Sequence, residues 1–373
     1  MITVKEVETK KEQKQFLNFP LKMYKKCPYF APPLYIDEKK IFTKKNIYLD
    51  QCESVFYNAY RDGKMVGRIS GILQKVSNEK NKQNRVRFTR FDSIDDQEVA
   101  NALFNAVESW ALSKNMDTIV GPLGYSDLER EGLLIEGFDQ LSTFEEQYNY
   151  SYYQKLIENA GYEKEIDWLE SQLRMPDVRD ERITRISSMM LNKYNLHYGT
   201  AKNTRQFVKK YADKLFQLLD ETYENLYGTV PFSPKMKETM IANFKLIINI
   251  NNVAVILDED ENLVAFGICF PSISKALQKS SGHLTPAALL RVLKAIKHPK
   301  VIDLALIGVL PKYRMKGIST SIIDKILDML SKGDIEYAET NLNLETNAAI
   351  QNQWKIFNTT QHKRRRSFTK KIK

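Results

Sequence analysis

One order of segments occurs twice along this chain, and that repetition restricts its fold more than any single motif does. In the first half, Phe16, Leu17, Pro20, Leu21 and Tyr24 keep a helical period, and an extended hydrophobic stretch, Pro28-Tyr29-Phe30 to Pro32-Pro33-Leu34-Tyr35, follows. Residues 55–60 and 66–73 flank Asp62-Gly63, a dipeptide suited to the positive φ of a tight turn, and predict a β-hairpin. Residues 85–91 alternate as a strand, 95–115 predict a helix with Val99, Leu103, Val107 and Trp110 inward, and 118–120 predict a strand. A helix over 150–160, stopped by Gly161, and a strand over 168–175 complete the set. The second half repeats it: a helix over 204–226, a hairpin of 253–257 and 263–270, then a strand over 302–310 and a helix over 318–330. A strand over 337–342, a helix over 348–357 and a strand over 365–370 follow. An internal duplication of one α/β unit explains this economically. The domains expected are 1–180 and 196–373, joined by a charged helix after Met175-Pro176-Asp177.

Composition narrows the functional classes. The apolar runs, such as 304–310 between Asp303 and Pro311, fall far short of the roughly 20 residues that span a bilayer. The first residues, MITVKEVETKKEQKQ, do not have the pattern of a secretory signal. Three scattered cysteines (Cys27, Cys52, Cys269) fit a reducing, cytoplasmic compartment and inert thiols, and the four histidines have no ligand spacing, so no metal is expected. The net charge of +10 suits nucleic acid, an anionic membrane surface, a polyanionic small molecule, or a plainly solvated surface.

The segment 306–319, Leu-Ile-Gly-Val-Leu-Pro-Lys-Tyr-Arg-Met-Lys-Gly-Ile-Ser, carries the sharpest chemistry. A buried strand delivers the chain to Pro311, and a basic loop then opens a helix. Gly317 lets the backbone approach a ligand, while the first helical amides, the helix dipole and Lys312, Arg314 and Lys316 form an anion cradle suited to a pyrophosphate.

This loop resembles the Gln/Arg-x-x-Gly-x-Gly/Ala loop of the GNAT superfamily, the GCN5-related N-acetyltransferases, with Arg314 and Gly317 in register and Ser319 at a Gly/Ala position. Asn347-Ala-Ala-Ile-Gln-Asn-Gln-Trp354 is similar to the family's Asn-x-x-Ala-x-x-x-Tyr. The resemblance implies an α/β fold of two tandem GNAT-like domains, each a mixed, mostly antiparallel sheet flanked by helices. It implies that coenzyme A or an acyl-coenzyme A is held by Leu306, Gly308, Val309, Arg314, Met315, Lys316, Gly317, Ile318, Ser319, Thr320, Asn347 and Trp354. The strand 337–342 is expected to splay from its neighbour at Gly308-Val309 and admit the pantetheine arm. Trp354 replaces the tyrosine that often protonates the leaving thiolate, and an indole is a poor acid. A base is also required: Glu339, Glu345 and His283 are the candidates, with Asn341, co-facial with Glu339, and Asn343 as orienting groups.

At the equivalent place, the first half has no glycine and carries Asp92, Asp95, Asp96 and Glu98, charges that repel a phosphate. Its domain is therefore expected to be a degenerate partner on the acceptor side. The polar, glycine-bearing stretch 121–138 and the tyrosine-rich 147–153 suit a cleft between domains, with Tyr125, Glu136, Tyr150 and Tyr153 as candidate acceptor contacts. Phe19-Pro20, Pro32-Pro33-Leu34, 61–69, 132–138 and Tyr148-Asn149 resemble a bacterial group of two-domain GNAT-like proteins, whose relatives include enzymes that N-acylate sphingoid bases. That resemblance implies a small-molecule or lipid amine as acceptor. The segment 284–297, with leucines interleaved by Arg291, Lys294 and Lys297, reads as a basic amphipathic helix, a peripheral membrane contact or a lid.

Three classes stay open on the residues. The first is an acyl-coenzyme A:amine N-acyltransferase, with an acyl-carrier protein as the alternative donor. The second is a non-catalytic acyl-coenzyme A sensor. The third is an aminoacyl-tRNA-dependent transferase, supported only by Lys363-Arg364-Arg365-Arg366, a run that also reads as the guard of an exposed strand edge. Nucleic acid is otherwise not expected as a partner.

Overall fold

The computed structural model describes residues 1–224, 226–332 and 334–373. It divides into two compact units that interleave along the chain: Met1–Leu169, Ser274–Leu289 and His362–Lys373 form the first, and Glu170–Ile273 and Leu290–Gln361 the second. The strands are β1 (Ile2–Glu6), β2 (Cys52–Arg61), β3 (Lys64–Gln74), β4 (Arg85–Ser93), β5 (Thr118–Gly121), β6 (Leu133–Glu136) and β7 (Glu163–Arg174), then β8 (His197–Tyr198), β9 (Val253–Leu257), β10 (Leu263–Pro271), β11 (Val301–Val309), β12 (Tyr337–Thr340), β13 (Asn343–Leu344) and β14 (Asn358–Lys371). The helices are α1 (Lys10–Met23), α2 (Tyr35–Glu38), α3 (Lys75–Asn81), α4 (Gln97–Ser113), α5 (Tyr152–Asn159) and α6 (Glu181–Lys193), then α7 (Thr204–Tyr223), α8 (Pro234–Ile247), α9 (Ser274–Gln278), α10 (Pro286–Lys297), α11 (Ser319–Ser331) and α12 (Ala348–Trp354).

The doubled order expected from sequence is present in the sheets. In the first unit β1-β2-β3-β4-β5 lie side by side, and in the second β8-β9-β10-β11-β12 do the same. Neighbours are antiparallel except β4 with β5, where Arg85 faces Thr118, and β11 with β12, where Val301 faces Tyr337. Each sheet then closes on a strand from the other half of the sequence. In the first β5 pairs with β14, with Phe368 opposite Gly121, and in the second β12 pairs with the end of β7, with Leu173 opposite Ala338.

A register shift recurs at one place in both units. It falls between Arg68 and Ser70 on the strand facing β4, and between Ile268 and Cys269 on the strand facing β11. The extra residue bends β4 and β11 just where their parallel partners end. The cores follow the alternation: Phe88, Phe91 and Phe104 pack with Tyr153 in the first unit, and Ile302, Leu304 and Ala338 pack on Ile322, Ile323 and Leu327 of α11 in the second.

The basic run overturns the expectation of an exposed edge. β14 lies inside the first sheet, between β5 and β7. Lys363 and Arg365 are buried, while Arg364 and Arg366 both donate to the Asp167 carboxylate of β7, at 2.7 and 2.8 Å. The buried pair has partners of its own: Lys363 donates to Leu141 O at 3.4 Å, and Arg365 stands 3.9 Å from the Glu146 carboxylate.

The bulge in β4 is also an electrostatic anchor. Arg90, at φ +50°, donates to both carboxylate oxygens of Glu38, at 3.1 and 3.2 Å. Burial opposes ionisation of Glu38, but Arg90 and then Arg130 outweigh it and hold the carboxyl at about 2. In Glu38→Gln, Arg90 loses its main anion, and urea unfolding should show a loss of about 3 kcal/mol at neutral pH. Because the folded value lies below the ordinary 4.5, the difference from wild type should be full above about pH 4.5 and shrink as pH falls toward about 2.

Candidate functional site

In the second unit the bulge turns β11 into one arm of a fork. Pairing with β12 runs to Leu304 opposite Thr340. The Asn341 amide then donates to Leu304 O at 3.1 Å, and its Nδ2 reaches Ala305 O at 3.5 Å, so Asn341 closes the crotch of the fork. Past it, among the described residues, β11 continues to Val309 paired with β10 alone. Alternate residues of an antiparallel ladder bond to the neighbour, so the groups of Ile307 face the open side. The Tyr223 hydroxyl, at the end of α7, donates to Ile307 O at 3.0 Å and accepts from Ile307 N–H at 3.3 Å. Sequence reasoning missed Tyr223, because an aromatic at the end of an amphipathic helix reads as core.

The loop after β11 has the expected backbone. Met315 and Gly317 take φ of +61° and +74°, and the buried Ile318 anchors the loop in the core. Among the described residues no side chain caps the start of α11; the amides of Thr320 and Ser321 turn back onto Gly317 O and Ile318 O, at 3.1 and 3.0 Å. Ser319 and Thr320 are half-buried, whereas Met315 and Lys316 are exposed, the Lys316 ammonium standing 5.2 Å from the Tyr194 ring centre. Arg314 lies along the fork, donating to Val309 O at 3.3 Å and Thr222 O at 3.2 Å. It thereby neutralises the carbonyl end of α7. Gly308 sits where a Cβ would strike the Phe266 ring at 2.5 Å, and Leu306 is buried.

The candidate chemical groups fall into two sets. Glu339 is buried on β12, in register with Asp303 and Gln172, and shares the fork with Asn341. Glu345 is half-buried after β13. Asn347 caps α12, its Oδ1 accepting from Ile350 N–H at 3.3 Å. The buried Trp354 gives its indole N–H to Asn343 Oδ1 at 2.7 Å. His283 belongs to the first unit, its ring 4.1 Å from that of Tyr35.

In the first unit the matching edge of β4 is already occupied. Gln147 donates to Phe91 O at 3.2 Å, Tyr152 to Ser93 O at 2.8 Å, and Tyr153 accepts from Ser93 N–H at 3.1 Å. Tyr153 also accepts from Tyr24, at 2.8 Å, and Tyr24 reaches Asp92 at 3.0 Å. Burial, then the neighbouring Asp92, push the Tyr153 phenol well above its ordinary value, so it stays protonated. The start of α4 is likewise filled: Asp96 accepts from the amides of Glu98 and Val99, at 3.0 and 3.2 Å. Of the other acceptor candidates, Tyr150 donates to Met23 O, Tyr125 is buried in a parallel stack on Tyr48, and Glu136 is exposed at the end of β6.

The α10 region has two faces. Ala288 and Val292 are buried, while Leu284, Leu289, Leu290 and Leu293 are exposed, Leu290 to 70%. Among the described residues no helix is long and apolar enough to cross a membrane.

The bulged, forked strand followed by a glycine-bearing turn into an uncapped helix, set in sheets of repeated order, makes this a tandem GNAT fold. Solved structures bear that out. A tandem GNAT protein from the clavulanic acid biosynthesis pathway superposes with a TM-score of 0.55 at 11% identity, over 100% of this chain and 98% of that one. A GCN5-related N-acetyltransferase from Sphaerobacter thermophilus gives 0.52 at 10% identity, over 100% and 96%. No protein-family model matches the chain. By sequence it is similar to Protein YghO of Escherichia coli K12, 27% identical over 97% of this chain and 94% of that protein. It is also similar to the bacterial ceramide synthase of Caulobacter vibrioides NA1000, 25% identical over 84% of this chain and 82% of that protein.

Proposed function

We propose that this chain is an acyl-coenzyme A-dependent N-acyltransferase whose second unit holds the donor and whose acceptor is an amine of lipid character. The observation that carries the reading is the fork of β11 opening directly onto the Gly317 turn and the uncapped start of α11. An extended strand edge can pair with the amides of a pantetheine arm, and a helix start without a side-chain cap suits a pyrophosphate. Lys312, Arg314 and Lys316 supply the positive field. The amine attacks the thioester carbonyl at the fork, Glu339 takes the proton that the nitrogen loses, and Asn341 orients the reacting groups. The likeness to the bacterial ceramide synthase supports a lipid amine, and the first unit, its strand edge and helix start filled by its own side chains, takes no donor.

Gly317→Asp sets a carboxylate at the cradle and strains a φ of +74°. Calorimetry should show the affinity for coenzyme A falling at least about tenfold, the equivalent of about 1.4 kcal/mol.

The exposed leucines of α10, alternating with Lys294 and Lys297, support contact with an anionic membrane surface where a lipid amine resides. Co-sedimentation with vesicles rich in anionic lipid should capture the protein at low salt, and Leu290→Glu with Leu293→Glu should release it. Capture unchanged by those substitutions would contradict the contact.

One observation favours a second reading, a sensor of acyl-coenzyme A: the Trp354 N–H is committed to Asn343 and offers no acid. Thiol release across a panel of amines separates the two, since a sensor binds donor and releases none.

A further inference from the structure

The acyl transfer proposed above needs a proton for the departing sulfur, and the second unit holds a phenol at the point of need. Tyr223 Oη rests on the open edge of β11, bonded to both the N–H and the C=O of Ile307. A strand N–H aimed into an opening receives a carbonyl oxygen, and it stabilises that oxygen further as negative charge develops on it. The oxygen already found there belongs to Tyr223, which therefore marks the position of the acyl oxygen. A thioester entering the fork takes over the Ile307 N–H and moves the hydroxyl aside, against the carbon–sulfur bond.

Two further observations support this placing. Arg314, bonded to Thr222 O and Val309 O, ties the end of α7 to the end of β11, so Tyr223 is delivered to the fork by its own chain neighbour. In the first unit, tyrosines also cover the matching edge, but Tyr153 is buried and bound to Tyr24 and Ser93, a filled slot with no room for a thioester.

We propose that Tyr223 is the general acid of the second unit; this rests on the acyltransferase reading above. The amine nitrogen forms its bond to the acyl carbon and loses a proton to the base. The carbon–sulfur bond breaks with its electron pair on sulfur, and sulfur takes the phenolic proton of Tyr223, which solvent water then restores.

The test compares Tyr223→Phe with wild type on a coenzyme A thioester and on an aryl thioester of the same acyl group, reading thiol release. Binding of free coenzyme A is measured alongside by calorimetry. Phenylalanine keeps the ring, and an arylthiolate leaves without a proton. The variant should slow about 100-fold on the coenzyme A thioester, keep near wild-type turnover on the aryl thioester, and bind coenzyme A at least as tightly. Equal slowing on both thioesters, or slowing on neither, overturns the acid role and leaves the N-acyltransferase reading standing. A wild type that binds coenzyme A and releases no thiol overturns the acid role and favours the sensor. A wild type that binds no coenzyme A removes the donor site itself.

Discussion

Beyond Leu304, β11 keeps a partner on one side and loses it on the other, and the polar groups on the bared edge must be met by something. The bulge creates this condition by bending the strand as β12 ends, and the rest of the site is arranged around it. Asn341 closes the crotch, Tyr223 covers Ile307, and the strand runs on into the Gly317 turn. Two buried carboxyls, Asp303 and Glu339, lie in register beside the crotch.

The first unit shows what happens when the same backbone device is not kept open. Its strand edge is met by Gln147, Tyr152 and Tyr153, and its helix start by Asp96. An aspartate at that position stabilises a helix by about 1 kcal/mol and occupies the anion site in doing so. The second unit forgoes that cap at Ile318. A helix start left without a side-chain cap beside three cations is a stability cost that makes sense if an anionic ligand takes the place of the cap.

Much of the fold was legible because it depends on local signals. Asp62-Gly63 forms its turn with φ of +50° and +73°, and Gly317 has the positive φ its motif demands. What was not legible depends on distant partners. Lys363 and Arg365 read as surface charge, since nothing nearby shows that β14 runs inside the first sheet with Leu141 O and the Glu146 carboxylate as their partners. The interleaving of the two units rests on pairings such as Phe368 with Gly121, far apart in sequence. Tyr223 escaped for the same reason: its partner is a backbone group of Ile307, and backbone groups leave no mark on a sequence.

The central claim is that the second unit, and not the first, receives an acyl-coenzyme A along a bared strand edge and an uncapped helix start. Amide hydrogen exchange with and without coenzyme A tests it directly, because the two units carry the same device in one molecule. Added protection is expected over residues 306–320, strongest at Ile307 and at the start of α11, with 85–99 unchanged. Protection that appears over 85–99 instead, or nowhere in 306–320, would contradict it.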